Sequence, residues 1–84
     1  MRITLDSTDK IVELTIEGKR IPARIWQGMT TSGIPVHAYI TRIVPEVHKT
    51  DPDIDNKTAQ FERELQRCVD PRPAIEAIPM RMIL

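Results

Sequence analysis

Eighty-four residues provide for one small domain and leave no room for a second independent core. Twelve basic side chains balance twelve acidic ones, so no long-range field gathers polyanions and nucleic acid is disfavoured as a partner. One cysteine, Cys68, rules out an intramolecular disulfide and fits a reducing compartment, and no apolar run approaches the roughly 20 residues of a membrane span.

The apolar set is dominated by β-branched residues: twelve Ile and five Val stand against four Leu and three aromatics. Such side chains suit a pleated surface, so the core is expected to be mostly sheet. The opening Met1-Arg2-Ile3-Thr4-Leu5-Asp6 reads as a short strand over 2–5 and carries no apolar stretch of signal-peptide length, which points to the cytoplasm. Asp6-Ser7-Thr8-Asp9 then reads as a turn that brings Ile3 to Val12. Val12, Leu14 and Ile16 alternate along a second strand, 10–17. Gly18-Lys19 follows as a two-residue loop of type II′, pairing Ile16 with Ile21, Leu14 with Ala23 and Val12 with Ile25. Strand 20–29 leads into the turn-rich Thr30-Thr31-Ser32-Gly33, taken as a four-residue loop. Across it, on strand 34–44, Ala38 falls opposite Ile25 and Ile40 opposite Ala23.

Residues 45–56 form an acidic loop, and a helix is expected over 57–69, with Phe61, Leu65, Cys68 and Val69 as its apolar stripe. Asp55 or Asn56 supplies the N-cap, and Pro71 ends the helix. Ala74–Ile78 can add one helical turn, and 79–84 reads as a terminal strand. The expectation is therefore an α+β domain over 1–84: a four-stranded antiparallel meander (1–44) with one packed helix and a C-terminal extended strand.

The same registers place Trp26 between Ile11 and His37, and Arg24 between Glu13 and Tyr39, on the face opposite the core. Trp26, Arg24, His37, Tyr39 and Arg20 would then form one platform, suited to a protein partner or to a stacked nucleotide base. A second pattern is Asp51-Pro52-Asp53-Ile54-Asp55-Asn56, with Glu62 at the twelfth position. It resembles the calcium loop of EF-hand proteins, which implies Asp51, Asp53, Asp55 and Glu62 as ligands, although Asn56 stands where that loop has Gly. The alternative is an acidic linker with no metal. Enzymatic chemistry finds little support: His37 and His48 lack a neighbouring cysteine, glycine is scarce, and Cys68 is expected on a buried stripe. No cofactor is implied.

The opening Met1-Arg2-Ile3-Thr4, the block IPARIWQGMTTSGIPVHAYITRI and the ending IPMRMIL resemble small uncharacterised proteins of bacteriophages and prophages. The resemblance implies a bacterial host cytoplasm and a stoichiometric, non-enzymatic action on a host, immune or phage protein. It brings no activity or site residues with it. A nucleotide-binding sponge is the alternative, and self-association, for instance through the C-terminal strand, is a third reading.

Overall fold

Two tight turns and one bulge set the architecture. The computed structural model describes residues 1–83, in which β1 (Ile3–Ile16), β2 (Lys19–Thr30) and β3 (Pro35–Ile40) form a three-stranded antiparallel sheet. One main helix, α1 (Ile54–Leu65), and a single-turn helix, α2 (Pro73–Glu76), complete an α+β domain. A three-residue strand, β4 (Arg81–Ile83), runs parallel to β1 over Glu13–Thr15, giving the order β3-β2-β1-β4.

The first departure from expectation is β1, which is one strand rather than two. Asp6-Ser7-Thr8-Asp9 does not reverse the chain. Ile3 pairs with Thr30 at the far end of β2, and the register shifts by two between Ser7 and Ile11 as a bulge. Thr8 plugs that bulge: it is fully buried, its hydroxyl donates to the Ile25 carbonyl at 2.7 Å, and it accepts from the Lys10 amide at 3.2 Å. A threonine at the irregularity thus supplies a hydrogen bond where the ladder is interrupted.

The first reversal sits one residue earlier than the sequence suggests. Glu17 and Gly18 both have positive φ, 50° and 77°, and Ile16 pairs with Lys19. This is the geometry of a type I′ turn, whose hand matches the strand twist. Leu14 therefore faces Ile21 and Val12 faces Ala23. A shift of two leaves every side chain on its expected face, and Val12, Leu14, Ala23 and Ile25 are all buried.

The second reversal changes more. Gly33 has φ 84°, its amide donates to the Thr30 carbonyl at 3.0 Å, and the Thr30 amide donates to Ile34. Thr31-Ser32-Gly33 is thus a three-residue loop with glycine in the left-handed position, not a four-residue one. The loss of one residue inverts β3. Tyr39 comes opposite Ile25, and Ala38 opposite Trp26.

The core is small and is covered by the minor helix. Ile75 of α2 is buried with Val12, Leu14, Ala23 and Ile25, and Tyr39 and Ile78 pack at its margin. The main helix was expected to cover this face; instead α1 meets the opposite one, through Leu65, and buries none of its residues. It also begins and ends earlier than 57–69. Asp53 is the N-cap, and beyond Gln66 the backbone crosses the β1 edge, where the Val69 amide donates to the Ser7 carbonyl at 2.8 Å and Val69 bridges Thr8. Gln27 then holds the chain on the core side, its side chain donating to the Asp70 carbonyl and accepting from the Arg72 amide. Arg67–Val69 cannot be helical while serving as that crossing, so Cys68 is exposed rather than buried.

Candidate functional site

The inversion of β3 divides the expected platform. Trp26, Arg24 and Arg20 share a face with Ile11, Glu13 and Thr15 of β1 and with Ala38 and Ile40 of β3. His37 and Tyr39 lie on the core face, against Gln27 and Ile25. They interact with each other, His37 Nε2 and Tyr39 Oη being 3.1 Å apart and the rings edge-to-face at 5.3 Å. Arg20 pairs with Thr15 beside the first turn, four residues along β2 from Arg24, and does not line the groove described below. Of the five residues read as one surface, only Trp26 and Arg24 line one groove, while His37 and Tyr39 meet each other on the opposite face.

What surrounds those two is a shallow groove of ≈ 340 Å³ between the sheet and the C-terminal end of α1. Its apolar wall includes Ile11, Ile40, Ile43 and Leu65, with Trp26 in the floor, and its only ionisable lining groups are Arg24 and Arg42. Ile11 and Ile43 keep 50% and 43% of their surface exposed, so the wall is apolar surface still in water. Ile11 and Pro22 also line an adjoining depression with Met80, whose rim carries Glu13 and Arg81, 3.7 Å apart.

Arg24 has a structural duty as well. Its guanidinium donates to the Leu65 carbonyl at 2.9 Å, one of the last-turn acceptors that an α-helix leaves unsatisfied, at the end where the backbone dipole favours a cation. Cys68 Sγ lies 4.0 Å from the same guanidinium and 3.8 Å from the Ser7 hydroxyl, which donates to the Arg67 carbonyl. Arg42 makes no such contact to the helix. Among the described residues neither arginine is within ion-pair distance of a carboxylate.

Sequence reasoning missed Arg42, Ile40, Ile43 and Leu65. The signal was present in Ile40-Thr41-Arg42-Ile43, read as the continuation of an alternating strand. The strand ends at Ile40, so the following residues wrap the groove instead of extending the ladder.

The acidic segment does not form a calcium loop. α1 starts at Ile54, which puts Asp55 and Glu62 seven helical positions apart, roughly 10 Å along the axis. Asp51 accepts from the Asp53 amide at 2.8 Å and is ion-paired to Lys57, while Asp53 Oδ1 accepts from the Asn56 side chain. The Lys57 hydrogen bond, helped by the Asp53 amide, holds the Asp51 carboxyl below its usual range, and Asp51 in turn raises Lys57. Among the described residues no three His, Cys, Asp or Glu side chains gather as a metal set. The cluster is a solvated helix start.

No protein-family model matches this chain, and neither a curated protein nor a solved structure matches it. Among the described residues no helix is long and apolar enough to cross a membrane.

Proposed function

We propose that this protein is a non-enzymatic binding module, and that the Trp26 groove seats a protein surface bearing apolar side chains and carboxylates. One observation carries the reading: exposed isoleucines and a tryptophan line the groove beside Arg24 and Arg42, with no acidic group in the lining. Trp and Arg are enriched where protein interfaces concentrate their binding energy. Guanidinium and apolar groups together serve recognition, whereas proton transfer or nucleophilic attack needs groups of another kind. The stoichiometric action implied by the phage-type resemblance would run through this surface or through an assembly built on it.

The test uses residues that do not hold the fold. Arg24→Ala would free the end of α1, so Trp26→Ala and Arg42→Ala are the informative substitutions. Each is expected to abolish partner capture while leaving the circular dichroism spectrum unchanged. Capture unaffected by both would reject the groove.

A nucleotide occupant is the second reading, supported by Trp26 beside two guanidinium groups in a volume at the lower end of the small-ligand range. A nucleotide at 100 times its dissociation constant would stabilise the fold by about 2.7 kcal/mol. Flat melting curves across cyclic and linear nucleotides would remove that reading and leave the protein partner.

A further inference from the structure

We infer that the partner seated in the groove is a second copy of this chain, whose α1 lies across the Trp26 face while the first copy's α1 does the same in return. The inference rests on the groove being a protein-binding surface, and three observations support it.

The first is surface area. A compact monomer of 9.6 kDa exposes about 5,100 Å², whereas this chain exposes 6723 Å². Its radius of gyration is 15.1 Å, against about 12 Å for a compact domain of this length. The excess, roughly 1,600 Å² per chain, exceeds what each partner contributes to a dimer interface of ~2,000 Å² in total.

The second is that the chain carries both halves of a complementary pair, each incompletely covered. The groove is one half. The other is α1, where Ile54, Phe61 and Leu65 fall within one stripe at about 100° per residue yet none of them is buried. Leu65 reaches the groove of its own chain, but Ile54 and Phe61 do not line it.

The third is charge. Glu62 and Glu64 flank that stripe on its two sides, and among the described residues neither has a basic partner; Glu64 accepts only from the Gln60 amide. A cationic groove with apolar walls matches an apolar helix stripe edged by Glu62 and Glu64, the Lys57 beside Glu64 being already paired to Asp51. A two-fold axis requires each copy to supply both surfaces, and this chain does. Face-to-face packing of two grooves would instead oppose like charges.

Sedimentation equilibrium on the full chain tests this directly. The expected result is a dimer at micromolar concentration, weakened at least tenfold by Arg42→Glu and by Glu62→Arg separately. The double variant Arg42→Glu/Glu62→Arg, which exchanges the two charges, should recover most of the lost affinity. Both sites are exposed, so folding is not at risk, and circular dichroism verifies it. A monomer at every concentration overturns the inference, as does a dimer indifferent to both single substitutions. If the chain is monomeric while Trp26→Ala still abolishes capture of another protein, the groove stands as a binding site and the second copy alone is rejected.

Discussion

The two hairpins of this sheet are built from similar material and differ in one count. β1 and β2 are joined by two residues, β2 and β3 by three. In the first hairpin the turn lies one residue earlier than Gly18-Lys19 suggests, which moves the register by two and leaves Val12, Leu14, Ala23 and Ile25 together in the core. In the second the turn is one residue shorter than expected, and that single step carries Tyr39 to the core face and Ala38 to the side of Trp26. Because side chains alternate with period two, an even displacement preserves a surface and an odd one abolishes it.

The largest effect should come from the long arm of the first hairpin. Gly28 pairs with Leu5, and a Cβ at Gly28 would fall on the Thr4 carbonyl oxygen and 3.0 Å from Leu5 Cα. Backbone cannot yield as a flexible side chain does. Gly28→Ala should therefore cost about 2–3 kcal/mol in urea unfolding, and a loss below the error of that measurement would mean the arm is not paired as described. The second hairpin is tested through its faces. Tyr39→Ala, at the core margin, should cost about 2 kcal/mol, while Ala38→Ser on the groove side should stay within about 0.5 kcal/mol. The reverse order would restore the four-residue loop.

The turns themselves sharpen the contrast with opposite signs. Gly33→Ala forces a Cβ into a left-handed position and should destabilise by about 1 kcal/mol. Glu17 already bears that strain at φ 50°, so Glu17→Gly should stabilise by about 0.5 kcal/mol despite the entropy of glycine. The smallest effect lies outside the sheet. Asp51 is held below its ordinary value of 3.8 and Lys57 above 10.5. Their contribution is thus present at neutral pH. It fades as pH falls through the depressed Asp51 value, and again as pH rises through the elevated Lys57 value. Lys57→Met should return the Asp51 titration, followed by NMR, toward 3.8, with little change in overall stability because Lys57 is exposed and Asp51 only half-buried.

Much of the core was legible from local pattern alone. Strict alternation in Val12-Glu13-Leu14 and Ala23-Arg24-Ile25 fixes which side chains of each strand share a face, and any even shift of register keeps the two sets together. The candidate site was less legible, since it joins residues from β1, β2, the segment after β3 and the end of α1. Nothing in the order Ile40-Thr41-Arg42-Ile43 states where the strand stops. Nor does the apolar stripe of α1 say which face it meets, because Leu65 is aligned by Arg24, forty-one residues away in sequence.

Composition and periodicity by themselves determined an α+β chain with a β-branched core, one main helix and a solvated acidic helix start, because these follow from interactions within a few residues. Tertiary structure alone decided the faces of β3, the crossing of Arg67–Val69 over the β1 edge and the covering of the core by Ile75. The physical reason is that the conformation of one left-handed glycine sets a loop's length, and loop length sets parity for every residue beyond it. A local pattern records the alternation but not its phase.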